Sequence, residues 1–197
     1  MYLKSNYLRR DCRIPKAQRG VTLIETLASL AVAGVLATMG VPSMNQFKAS
    51  AAVNAQMAEL ESAIHRARLV ATTRGELVSI CALDAESLKL GEPDCVATGK
   101  DWSAGWLVFV DRGERGTVGE ADQILAIREA PTGAGGLIAT TRYLTYRASG
   151  ELLSIAAHFR AVPQGQPLLD QELPGSKLMC VNKPGNTRVA TVGKCAG

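Results

Sequence analysis

The chain has 197 residues, of which 47% are hydrophobic and 20% charged, enough for one globular domain with a sizeable core. The formal net charge is +4, but the first 20 residues hold six of the 22 basic residues and one of the 18 acidic residues. Residues 21–197 therefore carry a net charge of −1, which argues against a globally basic, nucleic-acid-binding surface once that segment is removed.

A basic, polar segment ends at Gly20, and an apolar run follows over residues 21–41. As a helix rising about 1.5 Å per residue, the run reaches roughly 30 Å, the thickness of a bilayer core. All basic residues of this region precede the run, so the positive-inside bias predicts a cytoplasmic N-terminus and a translocated remainder. We therefore predict a transmembrane helix at 21–41.

The one charged residue of the apolar run, Glu25, fits neither a secretory signal nor a plain anchor. A signal peptide would place its small residue after the apolar run, whereas Gly20 precedes it. A carboxylate in lipid is costly unless it finds a partner, and cleavage after Gly20 would create one, the α-amino group of Val21 on the same or a neighbouring chain. The alternative is that Glu25 snorkels to the membrane face.

The run Gly20-Val21-Thr22-Leu23-Ile24-Glu25, together with Pro42, resembles the processing site of type IV pilins and type II secretion pseudopilins. The resemblance implies a prepilin leader over residues 1–20, cleavage after Gly20 by a prepilin peptidase and methylation of Val21. It also implies that Glu25 helps the subunit to dock into a growing filament. Val21 departs from the phenylalanine or methionine usual at this position in the family.

The helical pattern resumes beyond Pro42, which we expect to kink the helix. Apolar residues then recur in a 4-3-4-3-4 spacing that predicts one buried stripe: Val53, Met57, Leu60, Ile64, Ala67 and Ala71. Gly75 is the expected stop. Residues 42–75 are thus predicted to be an amphipathic continuation of the membrane helix.

Strand patterns replace the helical period from residue 76 onward. Strands are predicted at residues 77–82, 106–111, 123–128, 137–141, 144–147, 155–161, 178–181 and 188–192. The last two should form a hairpin through Pro184, Gly185 and Asn186. The predicted fold class is therefore α+β, a long N-terminal helix packed on an antiparallel β-sheet domain over residues 76–197.

Four of the five cysteines fall into two pairs, Cys81 with Cys95 and Cys180 with Cys195, while Cys12 lies in the basic segment. Each pair encloses a short stretch with Gly and Pro, and no CxxC spacing is present. This pattern favours two disulfides and an oxidising compartment over a metal site. Four buried free thiols are the alternative.

The resemblance extends over most of residues 20–197, to the GspH/FimT family of minor pilins and pseudopilins. In the soluble part it is carried by Trp102, Gly105, Trp106, Phe109, Asp111, Ile124, Leu125 and Gly150. The family implies a pilin-like fold, and the C-terminal cysteine pair is typical of its pilus-associated FimT and FimU types. The implied function is type IV pilus assembly or priming, and the alternative is a type II secretion pseudopilin.

The partners implied by the family are other pilins, the prepilin peptidase and the inner membrane, with the C-terminal domain in the periplasm or at a pilus tip. A DNA-binding tip pilin is a further alternative, and Lys183, Arg188 and Lys194 are its candidate phosphate contacts. FimT-type members that act in DNA uptake carry an arginine-rich C-terminal motif, but the matching residues 186–190 hold one arginine, so a solvated hairpin face competes.

No catalytic set or cofactor motif is found, so we expect neither an enzyme nor a cofactor. His65 and His158 have no Cys or acid placed to pair with them. Acidic residues in the loop over 111–122 suggest a calcium site, but its arginines favour a solvated loop. Trp102 and Trp106 are interpreted as core or lid residues rather than as a binding platform.

Overall fold

A computed structural model of the chain describes residues 20–131, 133, 135–169, 171–190 and 195, with the backbone alone at 38–43, 45 and 46. Residues 1–19 of the predicted leader and the candidate Lys194 lie outside this range. The chain divides into two compact units, Met1–Pro42 and Ser43–Gly197, which are described separately.

The first element is the helix α1, Leu23–Arg74, which contributes to both units. Its backbone is helical through Pro42, and it ends where Gly75 adopts a φ of 72° and donates its N–H to the Ala71 carbonyl. Among the described residues, no helix combines the length and the apolarity needed to cross a membrane. The transmembrane span at 21–41 therefore stays a prediction.

The part of α1 in the second unit buries the predicted stripe. All six of its residues are at most 2% exposed, and they share one core cluster with side chains from both sheets. The 3.6-residue period brings these positions onto one face, so apolar burial explains why this half of the helix packs on the sheets.

Eight strands follow: β1 Val78–Ala82, β2 Gly105–Val110, β3 Gln123–Glu129, β4 Leu137–Ala139, β5 Tyr143–Tyr146, β6 Ala157–Ala161, β7 Lys177–Val181 and β8 Thr187–Ala190. They form two antiparallel four-stranded sheets, ordered β3-β2-β1-β5 and β4-β6-β7-β8. The predicted helix-on-antiparallel-sheet fold is thus found, with two sheets in place of one. Strand patterns locate strands but do not state their partners, and β4 pairs with β6 rather than with a strand of the first sheet.

A short helix, α2 (Ala85–Leu90), lies between Cys81 and Cys95 and was not predicted. Asp84 caps its N-terminus, and Gly91 ends it in the left-handed region with a φ of 81°. Its six residues include no buried one, so it has no apolar period for sequence reasoning to detect.

Candidate functional site

The segment around Gly20 leads into a capped helix. The carbonyl of Thr22 accepts hydrogen bonds from the N–H groups of Glu25 and Thr26, both at 3.1 Å, and the Thr22 hydroxyl lies 3.4 Å from the Glu25 nitrogen. Thr22 and Glu25 therefore stand in the positions of a Thr-x-x-Glu capping box, and the Glu25 charge also suits a helix N-terminus. The motif residues thus begin the helix, a role that the sequence reasoning missed although the spacing shows it.

The apolar residues at the start of α1 are exposed on all sides of the helix. They are Val21, Leu23, Ile24, Leu27, Leu30, Val32, Val35 and Leu36, each between 54% and 78% exposed. A helix that is apolar all round is normally buried in lipid or among other helices. Within its own unit, this segment therefore has a surface that calls for an apolar environment.

The polar side chains near the start of α1 are mostly satisfied inside the helix. The Thr26 hydroxyl donates to the Leu23 carbonyl and the Ser29 hydroxyl to the Glu25 carbonyl, both at 2.8 Å. Such bonds let hydroxyl groups enter an apolar medium at low cost. The carboxylate of Glu25 has no partner among the described residues, so it is the polar group here that would need an external one.

Gly20 has no structural reason to be glycine within the described part of the chain. A Cβ atom built on it would meet nothing within 4 Å among the described residues. Because the fold does not require glycine at this position, the identity of the residue can be set by another requirement, such as recognition by an enzyme.

Both predicted cysteine pairs are bonded. Cys81 and Cys95 have an S–S distance of 2.03 Å, and Cys180 and Cys195 have Cα atoms 5.6 Å apart. The first pair lies in a second buried cluster, on the face of the first sheet away from the main core. The second pair links β7 to Cys195, and closure of a loop of this length stabilises the fold by about 3 kcal/mol through the entropy of the unfolded chain.

The β7–β8 hairpin is fastened to α1 by polar contacts. The Arg68 guanidinium donates to the Gly185 carbonyl at 3.3 Å and to the Asn186 side chain at 3.0 Å. The Thr187 hydroxyl donates to Glu61 at 2.8 Å and lies 3.0 Å from Nε2 of His65. Nε2 of His65 also lies 3.9 Å from Glu61, so the expectation that no acid is placed to pair with this histidine is wrong. His65 has a structural place at this seam.

Of the candidate DNA contacts, Lys183 lies in the turn of this hairpin and Arg188 on β8, an edge strand. Both are exposed, so two positive charges are accessible on one hairpin. Lys194 falls outside the described residues. Thr187, which donates to Glu61, directly precedes Arg188 in the chain, so an acidic side chain lies near this end of the hairpin.

The acidic loop after β2 is organised by hydrogen bonds. Asp122 accepts from the N–H groups of Arg112 at 2.7 Å and Gly119 at 2.8 Å. Asp111 is buried and accepts from the Ser79 hydroxyl, and burial raises the pKa of Asp111 above its usual range. Among the described residues, no group of three or more His, Cys, Asp or Glu side chains could hold a metal ion.

The two tryptophans are core residues, since neither has exposed surface. The Trp102 ring meets Phe159 edge to face, with centroids 4.9 Å apart, and its Nε1 donates to the Thr141 carbonyl at 2.9 Å. Trp106 packs in the same cluster. The interpretation of these residues as core rather than as a binding platform is therefore confirmed.

Comparisons with known proteins agree with this architecture. The family described as type II transport protein GspH matches residues 56–185, and the prokaryotic N-terminal methylation motif matches residues 15–41. No curated protein matches the sequence significantly.

Two crystal structures of the type IV minor pilin FimU from Pseudomonas aeruginosa are similar to the chain, each with a TM-score of 0.50. Their sequences are 17% and 18% identical to that of the chain. Each alignment covers 70% of this chain, and the two alignments cover 91% and 87% of the respective FimU chains. At this identity the likeness shows a shared fold. The methylation motif implies a membrane-anchored chain with a globular domain. Because the GspH family matches more than half of its length, the chain belongs to the GspH/FimT family of minor pilins and pseudopilins, which are structural pilin subunits.

Proposed function

We propose that the chain is a minor pilin that takes part in type IV pilus assembly. In this proposal the prepilin peptidase cleaves after Gly20 and Val21 is methylated. The apolar start of α1 inserts into the inner membrane once, with the globular domain in the periplasm. It later leaves the membrane and packs among the helices of other pilins, and the domain catalyses no reaction.

The observation that carries the proposal is the exposed apolar surface around α1 between Val21 and Leu36. Burying such a surface yields about 25 cal/mol for each Å² removed from water, whether lipid or neighbouring helices cover it. A helix that is stable in both settings can pass from membrane to filament without unfolding. The capped N-terminus and the internally bonded Thr26 and Ser29 support the same reading, because they leave few polar groups to desolvate.

Glu25 supplies specificity in this proposal. Its carboxylate lacks a partner among the described residues, and the α-amino group created at Val21 of a neighbouring subunit would offer the opposite charge. Removal of one member of such a buried pair leaves the other charge unpaired, which is strongly destabilising. Assembly would therefore depend on the charge at position 25, while the fold of the globular domain would not.

The test is complementation of a deletion strain with Glu25→Ala and Glu25→Gln. Glutamine keeps the length and hydrogen-bonding capacity of the side chain but removes the charge, so it separates the charge of Glu25 from its other properties. We expect both variants to accumulate as processed protein and to restore few or no surface pili in sheared fractions. Restoration of piliation by Glu25→Gln, but not by Glu25→Ala, would show that an uncharged polar side chain is enough and would remove the proposed charge pair.

A type II secretion pseudopilin is the second candidate, favoured by the description of the matching family. The two candidates share the fold and the N-terminal motif, so the phenotype of the deletion strain must separate them. Loss of surface pili with normal exoprotein release supports the pilus. Loss of exoprotein release with normal pili supports the secretion machine.

DNA binding at the pilus tip is favoured by one observation, the exposure of Lys183 and Arg188 on the same hairpin. Electrostatic contacts of this kind would give salt-sensitive binding. A gel shift that weakens in the Arg188→Ala and Lys194→Ala variants supports this role. The absence of any shift at low salt would end it.

A further inference from the structure

A cavity of about 250 Å³ lies beside the edge strand β3, between α1 and the inward face of the first sheet. Six of its lining residues are apolar: Ala63, Val70, Trp106, Val108, Leu125 and Ala126. The remaining two are Arg66 of α1 and Arg128 of β3. The cavity is therefore an apolar recess with positive charge and no acidic residue in its lining.

The two arginines have no counterion among the described residues. Both are exposed, and neither has a hydrogen bond or an ion pair with any described residue. Arg128 lies opposite Trp106 in the β2–β3 register, so both side chains belong to the face that α1 covers. Like charges placed on the two walls of one recess attract an anionic group, and guanidinium groups bind carboxylates well.

Trp106 adds a second, independent feature. The residue is fully buried, and its Nε1 has no acceptor in the part of the chain that the structure describes, whereas the Nε1 of Trp102 is satisfied by Thr141. Buried indole N–H groups usually find an acceptor. Because this N–H has no accessible surface, an occupant would give it an acceptor only if the recess widens on binding.

The backbone of β3 is available as well. Within the described residues β3 pairs with β2 alone, so alternate N–H and C=O groups along its other edge face away from the sheet. Ile124 and Ile127 lie on the outer face, opposite Phe109 and Leu107, and remain 38% and 37% exposed. An added strand would thus find backbone partners at the edge, apolar surface on one face and the cavity on the other.

We propose that β3 is a docking edge for an extended segment of a partner protein, which adds as a further strand of the first sheet. The side chains of this segment that face α1 would be an apolar residue, which enters the cavity, flanked by carboxylates, which meet Arg66 and Arg128. A small free carboxylate would use the cavity and the arginines but neither the backbone edge nor the two isoleucines, so the strand accounts for more of the surface. The proposed filament contacts lie in the N-terminal helix, so a test of the β3 edge can fail without contradicting the proposed filament function.

The test uses the full mature chain in detergent micelles and two hexapeptides. Both have valine at alternate positions. The three remaining positions hold aspartate, leucine and aspartate in the acidic peptide. In the basic peptide the same positions hold lysine, leucine and lysine. We expect the acidic peptide to slow hydrogen exchange of the β3 amides and to bind about tenfold more tightly than the basic one. The double variant Arg66→Glu and Arg128→Glu should reverse this preference.

Arg188→Glu is the matched control, because it reverses an exposed charge on another strand and should leave the preference unchanged. Slow hydrogen exchange of the β1 amides shows that a variant is folded. If the double variant loses this protection, the single variant Arg66→Glu is used in its place. The proposal is overturned if the peptide leaves β3 exchange unaltered, or if charge reversal does not change the preference. Binding of octanoate in place of the peptide would also overturn the proposal. Hydrogen-exchange protection of β3 that rises with protein concentration alone would overturn it too, because it would identify a second copy of the chain as the occupant.

Discussion

Glu25 shows how one residue can satisfy a local and an intermolecular requirement. Its position three residues after Thr22 is that of the acidic residue in a capping box, and its charge is favoured at a helix N-terminus, although its carboxylate makes no bond to the Thr22 N–H. The same carboxylate is left without a partner among the described residues, which is what a role in subunit docking would require. The sequence indicated the second role through a resemblance, and the structure added the first.

Gly105 is a residue that the fold needs as glycine. Its φ is 122°, and a Cβ atom there would overlap the Arg128 carbonyl oxygen of the neighbouring strand. We expect Gly105→Ala to cost about 1–2 kcal/mol for the backbone conformation and about 1–3 kcal/mol more for the clash. Urea unfolding of a fragment that starts at Ser43, the first residue of the second unit, would measure this loss.

Gly75→Ala is the control for this prediction. Its φ of 72° carries a similar conformational cost, but a Cβ atom there meets nothing within 4 Å. The loss should therefore be limited to about 1–2 kcal/mol. Equal losses for the two variants would show that the close approach of β2 to β3 at Gly105 is not important for stability.

Asp111 should make stability depend on pH in an unusual direction. Burial raises its pKa, and the hydrogen bond from Ser79 opposes this shift only in part. A carboxyl group with a higher pKa in the folded state binds its proton more tightly there, so stability falls as pH rises from about 3.9, the unfolded value, through the folded pKa. The Asp111→Asn variant lacks this ionisation, so the variant's free energy of unfolding relative to wild type should increase as the pH rises from about 3.9 to neutral pH.

The same Ser43 fragment and urea titrations at both ends of this pH range serve this measurement. The comparison between variant and wild type removes the contribution of the other carboxylates, which both proteins share. A difference that is constant with pH, or that decreases as pH rises, would contradict the raised pKa of Asp111.

At the scale of elements, the success of sequence reasoning followed the strength of the periodic signal. The stripe from Val53 to Ala71 extends over five helical turns, and each of its predicted positions is buried. Most strand predictions fell within a few residues of the observed strands. The helix Ala85–Leu90 was missed because it buries no residue, and the division into two sheets was missed because pairing depends on contacts distant in sequence.

The attachment of the β7–β8 hairpin to α1 is another feature that no local pattern predicts. Arg68 provides it through the Gly185 carbonyl and the Asn186 side chain. Because Gly185 is buried and the bonds are charge-assisted, we expect Arg68→Ala to lower the free energy of unfolding by about 1–2 kcal/mol. Faster hydrogen exchange of the β8 amides should accompany this loss.

Arg66→Ala is the matched control, since Arg66 lies on the same helix without a described hydrogen bond or ion pair. Its substitution should change the free energy of unfolding by less than about 0.5 kcal/mol. Similar effects for both arginines would mean that the Arg68 contacts do not hold the hairpin.

For the whole molecule, charge and hydrophobicity divide the chain into parts with different physical properties. The basic residues that give the sequence its net positive charge are concentrated in the first 20 residues, and the remainder is close to neutral. The apolar start of α1 is exposed in its unit, whereas the second unit has a closed core and two disulfides. Differences of this kind can be recognised in the sequence, because composition and hydropathy act over long segments and need no knowledge of contacts.

The central claim, that the chain is a processed pilin subunit, is tested most directly by mass spectrometry of its N-terminus after expression in a host with an active prepilin peptidase. The account predicts a protein that begins at Val21 with a methylated α-amino group. Gly20→Lys should block cleavage without affecting the fold, because the fold does not require glycine there. A wild-type chain that retains Met1 in this host would contradict the account.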